Sequence, residues 1–184
     1  MIDLPAVCTF NVDDDFIDFF SNKINYYKEI SFSVNDTTTV NGFQTDNIFQ
    51  LNENDVIEKL NFLKQKIENK CKCKFIYHWA HLIEYEKGGF QELHNHNENE
   101  DFSLIVYLNS CTDGLTEFIL NDKREIDFRY PPKKGECIMF LSSIFHRGLP
   151  TTQSKKVLVL GLKFNKTYYE RIWLWPRLQK TWFY

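Results

Sequence analysis

The sequence predicts a mainly β chain with flanking helices, folded as a double-stranded β-helix, or jelly roll. Three observations lead there. Two N-terminal segments repeat apolar residues at helical spacing. From Phe75 onward, short runs rich in Val, Ile, Phe, Tyr and Leu recur between turn signals. No internal repeat or Gly/Pro-rich linker interrupts the chain, so residues 1–184 read as a single domain. Within it, 1–70 is a helical support region, 75–164 the jelly-roll core and 167–184 a C-terminal helix or tail.

The first helix is expected over Asp13 to Tyr27, with Phe16, Phe20, Ile24 and Tyr27 on one face. The second is expected over Glu53 to Lys70, with Val56, Leu60, Leu63 and Ile67 on one face and Asn52 as N-cap. Between them, Lys28 to Val34 reads as a strand leading into a polar loop. The later strands are expected at Phe75–Tyr85, Gln91–His96, Phe102–Asn109, Leu115–Asn121, Ile126–Tyr130, Cys137–Leu141, Phe145–Leu149 and Lys156–Phe164. Such a series, following two helices, suits two sheets with the helices packed on one face.

Composition excludes several classes. With 43% hydrophobic and 16% aromatic residues, the chain can build a core. Twenty-two Lys+Arg against 25 Asp+Glu give a net charge of −3, so there is no bulk pull toward nucleic acid or an anionic membrane. The longest apolar runs, Cys137 to Leu141 and Val157 to Leu162, fall far short of the ~20 residues that span a bilayer. The acidic N-terminus lacks the basic and apolar regions of a secretory signal. Five cysteines at irregular spacings do not read as a disulfide framework, and the expected compartment is the cytoplasm.

Chemistry-bearing residues concentrate in the strand-rich part. His94 and His96 share a strand face, and Glu98 follows on it. His146 starts a distant strand that a jelly roll would fold back onto the pair. Imidazoles suit iron, zinc, copper or nickel, and a neighbouring carboxylate would complete a facial three-ligand set. Other clusters carry less. Cys71-Lys72-Cys73 lacks a second pair of thiolates to close a zinc site. His78 and His81 fall on opposite faces of one strand and are expected to be structural. Lys123, Arg124, Arg129, Lys133 and Lys134 are interrupted by Glu125 and Asp127, which reads as a solvated hairpin rather than a nucleic-acid surface. The aromatic tail, from Tyr168 to Tyr184, is expected to pack on the sheet or in a homodimer interface.

Residues 82–164 resemble the 2-oxoglutarate- and iron(II)-dependent oxygenases, especially their prolyl-hydroxylase-like branch. Five blocks carry the resemblance in order. They are Tyr85-Glu-Lys-Gly88-Gly89-Phe90-Gln-Glu-Leu93-His94, Leu104-Ile-Val-Tyr107-Leu108-Asn109, Gly114-Leu-Thr-Glu-Phe-Ile, Pro132-Lys-Lys-Gly135-Glu-Cys-Ile-Met-Phe140 and Phe145-His146-Arg-Gly-Leu-Pro150.

The resemblance implies an Fe(II) centre, 2-oxoglutarate as cosubstrate, O2 as oxidant and hydroxylation of a C–H bond. The substrate class stays open among peptides, nucleobases and small molecules. The implied metal ligands are His94, His146 and a third residue, either His96 or Glu98. The family places an acidic residue where His96 stands; the Gly88-to-His94 spacing and the apolar Leu93 favour His96. Glu98 or Glu100 could then serve as an outer partner. By resemblance, Tyr107 and Tyr85 would donate hydroxyl hydrogen bonds to 2-oxoglutarate.

The family grips the far carboxylate of 2-oxoglutarate with a basic residue after the distal histidine, and here Lys155 and Lys156 compete. Lys156 shares a face with Leu158, Leu160, Leu162 and Phe164, so alternation selects it as the buried cation needing an anionic partner. Two alternatives keep the fold. One is a cupin-type dioxygenase or isomerase using His94, His96, Glu100 and His146 without 2-oxoglutarate. The other is a non-catalytic jelly-roll binding module.

Overall fold

In the computed structural model, the described residues are 7–34, 38–96, 100–120 and 126–165. Helix α1 spans Asp14–Glu29 and α2 spans Asn54–Cys71. The Asp13 carboxylate caps α1 by accepting from the Phe16 N–H at 3.0 Å. Phe16, Phe20, Ile24 and Tyr27 of α1 and Val56, Leu60, Leu63 and Ile67 of α2 are all buried, as their spacing requires.

Among the described residues, nine strands follow one another: β1 (Val7–Asn11), β2 (Thr39–Gln44), β3 (Phe75–His94), β4 (Phe102–Tyr107), β5 (Thr116–Ile119), β6 (Phe128–Tyr130), β7 (Glu136–Leu141), β8 (Phe145–Gly148) and β9 (Lys155–Phe164). They form one curled antiparallel sheet in the order β1-β7-β4-β9-β3-β8-β5-β6, with β2 also on β3. The 20-residue β3 is what curls it. Its first part pairs with β9 (Phe75 opposite Phe164, Tyr85 opposite Lys155), and its last part pairs with β8 (His94 opposite His146). One strand therefore serves both halves of the jelly roll.

Strand alternation divides the buried side chains into two cores. Leu104, Val106, Cys137, Met139, Leu158, Leu160 and Leu162 face outward and pack under α1 and α2. Ile105, Tyr107, Ile138, Phe140 and Val157 face inward, with Ile83, Tyr85 and Phe118. Every residue of β4 is buried as a result, which is why Leu104 to Tyr107 read as an apolar run rather than an alternation.

Four sequence expectations are corrected. The segment from Lys28 to Val34 is no strand: α1 continues to Glu29, and Phe32 then packs on the Tyr27 ring with centroids 5.5 Å apart. Asn52 does not cap α2; it adopts the left-handed conformation (φ 50°) that ends a short 3-10 turn over Ile48–Leu51, which asparagine tolerates well. The polar stretch between the helices contributes β2, and Val7–Asn11 forms β1, so each adds a strand too short for its own residues to announce. Finally, Phe75–Tyr85 and Gln91–His96 are not separate strands but belong to β3, which ends at His94. The expected C-terminal helix lies outside the described residues. Among the described residues, no helix is long and apolar enough to cross a membrane.

Candidate metal centre

His94 closes β3, His146 lies opposite it on β8, and His96 follows just beyond the end of β3. The His96 N–H donates to the Ser142 carbonyl at 2.9 Å, which fixes the backbone there. One ring nitrogen from each of the three histidines comes together, all within 4.8 Å of one another. Ring centroids stand 4.3 Å (His94 to His146), 4.9 Å (His94 to His96) and 5.4 Å (His96 to His146) apart.

Two of the imidazoles are held from behind by an Nδ1 hydrogen bond, and the third faces a carboxylate there. His94 Nδ1–H donates to the Glu92 carbonyl at 2.7 Å, and His146 Nδ1–H to the Ile144 carbonyl at 3.1 Å. His96 Nδ1 faces the Glu100 carboxylate at 3.2 Å. With the proton on Nδ1, Nε2 keeps its lone pair, the tautomer a metal ion needs. Burial pushes all three rings down in pKa, His96 to about 4 and His146 well below its ordinary value. The repulsion of His94 on the other two adds to it. In all three the shift favours the uncharged imidazole, the form that can bind a metal ion.

A cavity of about 270 Å³ opens beside the histidines and runs between the two halves of the jelly roll. At its wall, Lys155 is 2% exposed. Its ammonium donates to the Gly114 carbonyl at 2.9 Å and lies 4.5 Å from the centroid of the Tyr85 ring. Among the described residues, no carboxylate lies within ion-pair distance of it. Burial pushes Lys155 down to about 8, against the weaker pull of Cys111 and Asp113. Gly148 makes the space: a Cβ there would come within 3.2 Å of the Lys155 Nζ and 3.3 Å of the Gln91 Cβ.

Two buried phenols line the same cavity. The Tyr85 hydroxyl donates to Gln91 Oε1 at 2.8 Å, and the Tyr107 hydroxyl shares a 2.7 Å hydrogen bond with the Thr116 hydroxyl. Burial raises both phenols, so they stay protonated. This donor set fits a divalent metal bound beside a dicarboxylate: three lone pairs converge on one point, and a buried cation stands without an anion.

Comparison with known proteins agrees. Residues 80–162 match the profile of the 2OG-Fe(II) oxygenase superfamily. That stretch, which includes His94, His96 and His146, is a domain of that superfamily. Among solved structures, a prolyl-4-hydroxylase from Pseudomonas putida superposes with a TM-score of 0.64 at 15% identity, over 87% of this chain and 93% of that one. The viral collagen prolyl hydroxylase of Paramecium bursaria chlorella virus-1, in complex with 2OG, gives 0.63 at 20% identity over 88% and 97%. A Trichoplax adhaerens prolyl hydroxylase, in complex with a peptide of hypoxia inducible factor, gives 0.68 at 15% identity over 88% and 84%. No curated protein sequence matches. The protein is thus a 2OG-Fe(II) oxygenase built on the jelly roll, with Fe(II) and 2-oxoglutarate as its cofactor and cosubstrate.

In this oxygenase the structure brings His94, His96, His146, Tyr85 and Tyr107 to one cavity. Glu98 lies outside the described residues. Glu100 stands behind His96 rather than in the converging set, unlike the ligand arrangement of the cupin alternative.

The expectation for Lys156 is corrected. Lys156 lies opposite Glu84 in the β3–β9 register, 3.8 Å from its carboxylate, which Lys28 of α1 also pairs at 2.7 Å. The sequence argument put the buried cation on the more apolar face of β9. That face is the one the helices cover, whereas the cavity face is mixed, with Lys155, Val157, Val159 and Gly161. The parity of Tyr85, which lies opposite Lys155, was the usable signal.

His81 was also missed as a cavity residue. It lines the cavity and donates Nδ1–H to the Thr45 carbonyl at 2.9 Å, while His78 is exposed.

Proposed function

We propose that this oxygenase holds Fe(II) on His94, His96 and His146, binds the far carboxylate of 2-oxoglutarate on Lys155, and hydroxylates a C–H bond of its substrate. The observation that carries the reading is the pairing, in one cavity, of three imidazoles with a buried ammonium that has no carboxylate partner among the described residues. Iron bound there with 2-oxoglutarate supplies the oxidising power that couples cosubstrate decarboxylation to oxygen insertion.

The chain's own residues do the rest. The Lys155 ammonium neutralises a carboxylate where burial makes an unpaired charge costly. Being a point charge rather than a planar fork, it leaves the orientation of the dicarboxylate to other donors. Tyr85 and Tyr107, held by Gln91 and Thr116, offer hydroxyls on the same wall. Ile83, Ile105, Phe140 and Val157 line the pocket with apolar surface and exclude water from the reacting centre.

The five unbridged thiols suit a reducing compartment, and we place the protein in the cytoplasm. A homodimer through the aromatic tail is read from the sequence alone, and size-exclusion chromatography of the full chain against one ending at residue 165 would test it.

The test of function is anaerobic addition of Fe(II) and then 2-oxoglutarate, followed by admission of O2. The reading expects a weak visible charge-transfer band that needs both components, and succinate formation once O2 enters. Candidate peptides, nucleosides and small molecules are then screened for faster succinate release. Iron binding with no response to 2-oxoglutarate would favour the cupin-type alternative, and no iron binding the non-catalytic one.

A further inference from the structure

We propose that Glu100 is the positioning residue of the metal centre, holding His96 by Nδ1 and supplying from behind that imidazole the negative charge the three neutral ligands lack. The inference rests on the three-histidine reading above.

The three imidazoles are not held alike. His94 and His146 each donate Nδ1–H to a main-chain carbonyl two residues earlier, a neutral acceptor. His96 alone is backed by a carboxylate, with Glu100 Oε1 3.2 Å from its Nδ1. The Glu100 side chain has no solvent exposure, its approach to His96 Nδ1 is an ion-pair contact rather than a hydrogen bond of good geometry, and the Trp79 indole is its other polar neighbour. A buried carboxylate without strong partners is costly unless its charge has a use. Facing an imidazole whose other nitrogen takes a divalent ion, that charge makes the ligand more basic and offsets part of the metal's charge.

The surroundings keep Glu100 in place. The Ser142 carbonyl accepts the His96 N–H at 2.9 Å, and the Ser142 N–H donates to the Asp101 carbonyl at 3.1 Å. His96 and Asp101 are thus both clamped to Ser142. The Trp79 ring packs 5.3 Å from the His96 ring. It occupies space left by Gly161, where a Cβ would come within 2.5 Å of the indole Cε2 and Nε1. Gly161, Trp79, Glu100 and His96 form one layer behind the metal position.

The experiment has two readouts, neither of them turnover. The first is anaerobic Co(II) titration of the parent, Glu100→Gln and Glu100→Asp, each repeated in a His96→Asp background. With His96 in place, Glu100→Gln is expected to weaken Co(II) binding about 10- to 100-fold, and Glu100→Asp to recover part of it. With Asp at 96 there is no imidazole to hold, and Glu100→Gln should leave the affinity unchanged.

The second readout is the imidazole tautomer in the metal-free protein, read by long-range proton–nitrogen NMR. Glu100→Gln should alter the His96 signal and leave His94 and His146 as in the parent. This readout stands even if the His96→Asp protein does not fold. Unchanged Co(II) affinity and tautomer in Glu100→Gln, or an equal loss in both backgrounds, would overturn the proposal while leaving the metal site intact. A parent protein that binds no Co(II) would overturn the site reading and this inference together.

Discussion

Tyr85 and Lys155 are cross-strand partners in the β3–β9 register, and the Lys155 ammonium lies over the Tyr85 ring, 4.5 Å from its centroid. The adjacent Lys156 points to the other core and lies 3.8 Å from Glu84. Two neighbouring lysines of one strand thus face different cores.

Lys155→Met is expected to raise the apparent KM for 2-oxoglutarate, since removing one member of a buried charge pair costs about 2 kcal/mol or more, at least about 30-fold. Lys156→Met is expected to change it little, because that ammonium sits on the helix-covered face. Steady-state succinate release measures both. Equal effects would refute the assignment.

Lys155 also sets a pH dependence with two opposite signs. Its pKa in the folded protein is pushed down to about 8 from an ordinary 10.5. Between those values the unfolded chain binds the extra proton, so this lysine makes ligand-free stability rise with pH from about 8 to 10.5. Dicarboxylate binding needs the charged form, so affinity falls as pH rises through about 8. Denaturant unfolding and 2-oxoglutarate titration across that range check the two slopes, and Lys155→Met should remove this contribution from both.

Gly161 has no room for a side chain beside Trp79. Gly161→Ala is expected to destabilise the protein by about 1–3 kcal/mol through overpacking. Adding Trp79→Phe, which shortens the ring, should recover part of the loss, as urea unfolding of the single and double variants would report.

Phe20 is fully buried in the outer core, on α1 and away from the histidines. Phe20→Ala should cost about 3–5 kcal/mol of stability, yet the folded fraction should bind Co(II) as the parent does. Phe140, whose ring is 4.7 Å from that of His146, should lose both stability and metal affinity when cut to alanine.

Much of this was legible in the sequence because the physics is local. The helix faces follow from side-chain spacing, and His94 and His96 share a side because they stand two residues apart next to a strand end. What escaped depended on partners far along the chain. β1 and β2 are strands because β7 and β3 hydrogen-bond to them, and each is too short for its own residues to announce it. The choice between Lys155 and Lys156 turned on which face of β9 the helices cover. Hydrophobicity points to the larger core, and in this fold the cavity belongs to the smaller one.

X-ray absorption of the anaerobic Fe(II)-loaded protein is the most direct measurement of the central claim. The account predicts an imidazole count of three, falling to two in the His96→Ala protein. Two imidazoles and a carboxylate in the parent, with the count unmoved by His96→Ala, would contradict it.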